Sequence, residues 1–172
     1  MKNAILTILF FTTFINITYS QKKFVNKEYG FQIQEPKNWM QTSNKEILKN
    51  LEKFEISDKN LSKFLSDHKG SILLTSFYKY NPKTHAGVVP TIQVNVRAKA
   101  NKNFESFKNT IIESAKGLKI YFPDFEYIKE PTDIQISGIK SIYFISKFSM
   151  VTQNGQLMNV RSRTYAIPYK NY

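Results

Sequence analysis

The residue types that most often perform catalysis or bind metals are scarce in this sequence. It has no cysteine and only two histidines, His68 and His85. Histidine is the usual acid–base and metal-ligating side chain near neutral pH, and without cysteine there is no thiol nucleophile, thiolate ligand or disulfide. The two histidines do not share a metal-ligand spacing such as His-x-x-x-His. The sequence therefore predicts no catalytic set, no metal site and no cofactor.

Two pairs of acidic residues are the remaining candidates for acid–base chemistry. Asp124 and Glu126 would share one face of a strand, and Glu130 and Asp133 follow close behind. Paired carboxylates cleave glycosides only at defined separations within a cleft, and no nucleophile elbow or phosphate-binding glycine loop accompanies them. We therefore interpret these acids as solvated surface residues. A secreted hydrolase or small-ligand enzyme, assembled across the fold from such acids, His85 or the arginines, is the alternative function.

The last hairpin of the sequence carries the residues with the clearest binding chemistry. Asn154-Gly155 is a strong signal for a two-residue turn between two long strands. Such a turn would place Phe148 opposite Arg161, although a shift of one residue in register would reassign every face. One face of the hairpin would then display arginine and aromatic side chains together: Phe144, Phe148, Arg161, Arg163 and Tyr165.

Arginines beside aromatic rings form a combination that can bind an anionic group. The guanidinium makes forked hydrogen bonds to a carboxylate or phosphate, and the rings stack against the guanidinium plane. The alternative is that Arg161 and Arg163 extend over core aromatic residues or pair with glutamates as structural side chains. These residues are predicted to bind ligand, not to catalyse a reaction.

The segment Asn81–Val89 is a second candidate for a binding site. It is longer than most hairpin connections and carries Lys83 and His85. Long loops on a rigid sheet often bind ligands, whereas the alternative is a simple connection.

The pattern of apolar residues predicts strands and helices in an order that does not alternate regularly. A mainly antiparallel sheet packed by helices, hence an α+β fold, fits this order better than a parallel doubly wound sheet. Helices are expected at residues 43–54, with Ser43 and Glu46 as a capping box, around Leu61–Leu65, and at Phe104–Leu118, capped by Asn103. Strands are expected at Phe31–Gln34 within the opening segment Phe24–Gln34, and at Ser71–Tyr80, Thr91–Arg97, Phe125–Lys129, Ile134–Ile136, Lys140–Val151 and Leu157–Ile167.

Several of these motifs resemble PsbP-like proteins over residues 24–172. The motifs are Tyr29-Gly30-Phe31, Ile33, Pro36 and Trp39, then the helix Phe104–Leu118, Ile136-Ser137-Gly138, Tyr143, Asn154-Gly155 and Tyr165. The resemblance implies an α/β/α sandwich that works by protein binding or assembly, and it carries over no catalytic residue. Members of that family usually continue past the position of Tyr165 with another strand and a C-terminal helix, so the resemblance also implies a shortened chain or a partner covering an exposed sheet face.

The N-terminus has the layout of a cleaved secretory signal peptide over residues 1–20. Lys2 is followed by the apolar stretch Ala4–Ile17, and small residues at Thr18 and Ser20 precede a cut before Gln21. An uncleaved N-terminal anchor is the alternative. We therefore predict a secreted or periplasmic protein whose residues 21–172 form a single basic domain, with no membrane span after the signal is removed.

The charge of the chain indicates the kind of partner that this domain would meet. Its 25 Lys and Arg residues outnumber its 13 Asp and Glu residues, which gives a net charge of +12. A diffuse positive field favours acidic proteins or anionic envelope surfaces, and an exported protein seldom meets nucleic acid. A lysine-rich surface that only reflects codon usage is the alternative. The sequence predicts a non-enzymatic binding or accessory module, with the oligomeric state left open.

Overall fold

The computed structural model describes residues 22–42, 71–85, 88–98, 103–152, 155–170 and 172. These residues form three small antiparallel sheets with strand orders β1-β2, β3-β4-β5 and β6-β7-β8. The helix α1 lies between β5 and β6 and continues into a 3-10 turn. The elements are β1 Lys23–Asn26, β2 Phe31–Gln34, β3 Met40–Thr42, β4 Ser71–Tyr78, β5 Thr91–Arg97, α1 Phe104–Lys116, the 3-10 turn Gly117–Ile120, β6 Glu126–Ile136, β7 Ile139–Val151 and β8 Leu157–Ala166.

The predicted α/β/α sandwich is wrong, although the prediction of antiparallel strand pairing is confirmed. Every pair joins strands that follow one another along the chain, so the strands form separate local sheets instead of one large sheet between helical layers. Within the described residues α1 is the one α-helix, and it packs on a single sheet. The predicted helices at residues 43–54 and around Leu61–Leu65 lie outside the described residues, as do the predicted signal peptide at residues 1–20 and His68.

The first sheet is a short hairpin, in which the predicted strand Phe31–Gln34 is confirmed as β2 and pairs with β1. The chain reverses because the Asn26 side chain accepts a hydrogen bond of 3.0 Å from the Tyr29 N–H, and Gly30 adopts a φ of +62°. A Cβ at Gly30 would lie 3.0 Å from the hydroxyl of Tyr169, so both the backbone conformation and the packing favour glycine there.

The second sheet is built around β4, with β3 and β5 on either side. Phe77 and Tyr78 are neighbours and therefore point to opposite faces, yet both are fully buried. The predicted alternation in β5 is confirmed, because partly buried residues alternate with exposed ones. The partly buried residues are Ile92, Val94 and Val96, and the exposed ones are Gln93, Asn95 and Arg97.

The helix α1 begins and packs as the sequence predicted. The side chain of Asn103 accepts a hydrogen bond of 2.8 Å from the Ser106 N–H, which satisfies one of the free donors of the first turn. The apolar stripe of α1 packs against one face of the β6-β7-β8 sheet. The buried core of this unit consists of Phe107, Ala115, Phe125, Ile142 and Phe144.

β6 runs without a break through Pro131, where the sequence predicted two shorter strands. Proline cannot donate to a ladder, so it is confined to edge strands and bulges, and β6 is an edge strand with irregular register from Tyr127 to Thr132. The predicted turn at Gly138 is confirmed, because Ser137 and Gly138 have φ values of 49° and 79° and connect β6 to β7.

The turn between β7 and β8 differs from the predicted two-residue turn by one residue. The Thr152 N–H donates to the Gln156 carbonyl at 3.0 Å, and the Gly155 N–H donates to the Thr152 carbonyl at 2.8 Å. Thr152 thus pairs with Gln156, and Gly155 takes the left-handed position, with a φ of +77°, that a three-residue turn requires. The expected pairing of Phe148 with Arg161 is therefore wrong, since Lys147 pairs with Arg161.

Substituting Asn103 with Ala should destabilise the protein by about 1 kcal/mol, because the Ser106 N–H loses its capping acceptor. Urea unfolding followed by circular dichroism measures this loss. Asn109→Ala is the matched control, since Asn109 is exposed in the interior of the same helix, where alanine is the better helix former. Equal destabilisation by the two substitutions would contradict the capping role.

Substituting Gly155 with Ala should cost about 1 to 2 kcal/mol, because a side chain disfavours the left-handed backbone at this position. Gly117→Ala is the matched control. Neither glycine has an atom within 4 Å of an added Cβ, but Gly117 has a φ of −59°. The control should be as stable as the unsubstituted protein or slightly more stable in urea unfolding. A Gly155→Ala protein of unchanged stability would show that the turn does not need this conformation.

Candidate functional site

The candidate site is the side of β7 and β8 that points away from α1, which we call the outer face. Exposed and partly buried residues alternate along the whole of β8, and the exposed set includes both arginines. Register pairing places five residues of β8 beside five of β7 on this face. The outer face comprises Leu157, Asn159, Arg161, Arg163 and Tyr165 of β8 with Val151, Ser149, Lys147, Ile145 and Tyr143 of β7.

The structure brings together three of the predicted site residues and separates two others from them. Arg161, Arg163 and Tyr165 lie in a row on the outer face, and Tyr165 is 56% exposed. Phe144 and Phe148 lie on the opposite face of the sheet, where Phe144 belongs to the core and Phe148 packs against that core. The predicted cluster of arginines with these two phenylalanines is therefore wrong. The prediction failed because the turn has three residues, which shifts the pairing of β8 with β7 by one residue from the predicted register.

Arg161 and Arg163 carry charge that none of the described acids neutralises through an ion pair. In the described ranges, no carboxylate lies within ion-pair distance of Arg161 or Arg163. Their neighbour Lys147 differs, since it pairs with Glu126 across the sheet. Both arginines are thus exposed and lie two positions apart on one strand, and the acids that the structure describes form no ion pair with them. The alternative in which they pair with glutamates has no support from these residues.

One end of the outer face is aromatic. The rings of Tyr143 and Tyr165 pack with their centroids 4.7 Å apart, and the Lys129 Nζ lies 5.0 Å from the Tyr143 centroid. A cation at this distance from a ring face is attracted by the ring quadrupole. Arg163 lies between this aromatic end and Arg161, opposite Ile145, which is 8% exposed. The arginine row therefore ends at the aromatic pair Tyr143 and Tyr165, of which Tyr165 is exposed.

A groove of about 420 Å³ adjoins the other end of the outer face. Asp124 accepts a hydrogen bond of 3.1 Å from the Ser149 N–H, and the Ser149 Oγ lies 3.1 Å from the Asn159 Oδ1. The Ser149 hydroxyl and N–H lower the pKa of the Asp124 carboxyl, and Lys147 adds a smaller attraction. The lining residues are Asp124, Glu126, Lys147, Phe148, Ser149 and Asn159.

The groove contains two of the four acids that the sequence singled out, Asp124 and Glu126, and neither is suited to donate a proton. A carboxyl with a lowered pKa stays ionised near neutral pH and is a poor proton donor. Glu126 is held by Lys147. Across the residues that the structure describes, no three His, Asp or Glu side chains are grouped so that they could hold a metal ion.

The second predicted site is placed in the connection between β4 and β5, in a different sheet from the arginines. Asn81 organises this connection by accepting hydrogen bonds of 2.9 Å from the N–H groups of Lys83 and His85. The His85 ring stacks on Tyr80 with centroids 4.7 Å apart. Asn81 therefore stabilises a turn through these hydrogen bonds, and His85 is exposed in that turn. The assignment of Lys83 and His85 as ligand-binding residues stays a prediction.

The face that the sequence predicted for the arginines did not include Lys147, Ser149 or Asn159, which the structure places beside them. The alternation in each strand is visible in the sequence, so the faces of β7 and β8 could be assigned separately. Only the length of the turn relates one strand to the other, and Gly155 fits both a two-residue and a three-residue turn. The signal that was missing is the backbone conformation of the turn.

No protein-family model matches the chain, and neither curated proteins nor solved structures yield a match. The resemblance to PsbP-like proteins therefore has no support from these comparisons. None of the helices in the described part of the chain has the length and apolar character that a membrane crossing requires.

The lowered pKa of Asp124 predicts a pH-dependent contribution to stability. A carboxyl whose folded pKa lies below its unfolded value of about 3.9 stabilises the fold above that pH, and the contribution is lost as the pH falls through the folded pKa. Asp124→Asn keeps an oxygen that can accept from the Ser149 N–H but removes the charge. The unsubstituted protein should be the more stable of the two at pH 7.

Urea unfolding at a series of pH values from 7 to about 3 measures this difference, which should shrink through the acidic range. Asn109→Ala removes no titrating group and should differ from the unsubstituted protein by a constant amount. A constant difference for Asp124→Asn as well would show that the Asp124 charge does not stabilise the fold.

Proposed function

We propose that this protein is an exported, non-enzymatic binding module that docks an acidic protein or an anionic envelope surface through its outer face. The observation that carries the proposal is the pair Arg161 and Arg163. Both are exposed on one strand, and the acids of the described residues leave them without an ion pair. Two such guanidinium groups, two positions apart on a rigid sheet, suit an anionic partner.

The sheet beneath the arginines keeps them in position for binding. β8 is paired with β7 along its whole length without a bulge, and the other face of β7 forms part of the buried core with α1. A rigid support reduces the conformational entropy that binding must offset. The net charge of +12 adds a long-range field that attracts polyanions before contact.

The export that this proposal includes rests on the sequence of residues 1–20 and stays a prediction. An apolar stretch after a lysine, with small residues before the cleavage position, is typical of a signal peptide. Acidic proteins, lipid headgroups and acidic glycans are the polyanions that an exported protein would meet. The hydrolase alternative is less well supported, because the acids of the groove are ionised or paired and His85 lies in another sheet.

Binding to two defined probes tests the proposal: polyglutamate for an acidic protein, and vesicles containing phosphatidylglycerol for an anionic surface. The unsubstituted protein should bind one of them at low salt, and the affinity should fall as the salt concentration rises. Arg161→Glu with Arg163→Glu should weaken binding by about tenfold or more, because each charge-assisted hydrogen bond contributes about 1.5 to 3 kcal/mol.

Lys37→Glu with Lys119→Glu is the matched control, because it changes the net charge equally at two exposed positions outside the outer face. It should retain most of the affinity. If the control loses as much affinity as the arginine variant, only the diffuse charge of the protein matters and the outer face is not the binding site.

A further inference from the structure

We propose that the edge of β8 opposite to β7 binds an extended acidic segment of a partner protein as an added antiparallel strand, with acidic side chains at alternate positions opposite Arg161 and Arg163. This inference rests on the proposed function and names its partner: a polypeptide in extended conformation. It draws on the backbone of β8 in addition to the side chains of the outer face.

The edge of β8 is long and, within the described ranges, unpaired. β8 spans ten residues and has β7 as its one neighbour in the sheet. None of the described elements forms a ladder with its other side, and its exposed residues include Leu157 at 65% and Tyr165 at 56%. A row of unpaired N–H and C=O groups of this length is a template for strand addition.

The hydrogen bond at the turn identifies which residues direct their backbone outward. The Thr152 N–H donates to the Gln156 carbonyl, so Thr152 and Gln156 are a hydrogen-bonded pair. Such pairs alternate with non-hydrogen-bonded pairs along an antiparallel ladder, and the β7-β8 ladder has no register shift. Lys147 with Arg161 and Ile145 with Arg163 are therefore non-hydrogen-bonded pairs. The N–H and C=O groups of Arg161 and Arg163 consequently point to the free edge.

The same two residues thus offer both backbone and side-chain contacts to an incoming strand. A residue directly opposite Arg161 in an added antiparallel strand would exchange two backbone hydrogen bonds with it, and its side chain would lie on the outer face. Residues directly opposite each other on one face interact, and opposite charges stabilise the pair. The partner sequence that fits is acidic-x-acidic, with an apolar or aromatic residue two positions away to meet Tyr165.

The charge of the edge disfavours a second copy of this chain as the added strand in the register that brings the two arginine pairs together. In an antiparallel pairing of two β8 strands centred on Ser162, Arg161 of one copy would lie opposite Arg163 of the other. Like charges directly opposite each other destabilise the pairing. Basic residues on an edge strand also protect it from self-association. A strand with acidic side chains at these positions would instead be attracted to the arginines.

Synthetic peptides of about ten residues, the length of β8, test the inference by calorimetry with the full chain. The first peptide alternates Glu and Thr, and the second has the same composition with all Glu residues in one block. Strand addition requires the acids on one face, so the alternating peptide should bind about tenfold more tightly or better. The charge and the length of the two peptides are identical.

Backbone methylation provides the decisive comparison. In the proposed pairing the N–H groups of the Glu residues point to β8, whereas those of the Thr residues point away. An alternating peptide that is N-methylated at its Glu residues should lose at least about tenfold in affinity, whereas methylation at its Thr residues should leave binding nearly unchanged. Arg161→Glu with Arg163→Glu should instead bind an alternating Lys and Thr peptide, which also shows that this variant is folded.

The outcomes separate this inference from the proposed function. Equal binding of the alternating and block peptides, with no effect of methylation, would overturn strand addition while leaving electrostatic docking intact. Binding to anionic vesicles but to no peptide would also overturn it, because the partner would be a membrane surface. Failure to bind peptides, polyglutamate and vesicles alike would overturn both.

Discussion

The hydrogen bonds that close the turn between β7 and β8 determine the surface that this protein presents. The Thr152 N–H bonds to Gln156, Gly155 adopts the left-handed conformation, and the register of the whole hairpin follows. Because side chains alternate along a strand, this register places Val160, Ser162 and Thr164 toward the helix side and both arginines on the outer face. One more or one fewer residue in the turn would place both arginines on the core face, with one of them opposite a phenylalanine.

The packing of α1 then makes that register costly to change. Phe144 is buried, and Phe148 stacks on Phe122 with ring centroids 4.4 Å apart. The aromatic face of β7 therefore packs toward the side of the sheet that carries α1. A slip of β8 would set its arginines against this aromatic layer, where an unpaired charge is expensive. Local turn geometry and core burial therefore agree, and together they hold two cations side by side in solvent. This agreement connects the fold to the proposed binding of anions.

The sequence predicted the elements that depend on local patterns and missed those that depend on relations between elements. The helix capped by Asn103 and the alternation of β5 follow from periodicity and capping, and both are confirmed. The continuity of β6 through Pro131 could not be read locally, because a proline is tolerated only when the strand lies at an edge. The composition of the outer face could not be predicted for a similar reason. The length of the turn decides which residue of β7 pairs with Arg161, and the sequence does not fix that length. The sandwich prediction failed because short-range pairing keeps the strands in three sheets.

The two edges of the β6-β7-β8 sheet are unequal. Pro131 removes a donor from β6, and register irregularities interrupt its spacing, whereas β8 is regular throughout. A continuous ladder between β8 of one molecule and β6 of another is therefore disfavoured, because the missing donor and the register shifts of β6 interrupt it. Head-to-tail contacts of that kind would propagate into filaments because nothing closes them. The irregular edge of β6 thus disfavours polymerisation, while β8 at the opposite edge keeps its full length.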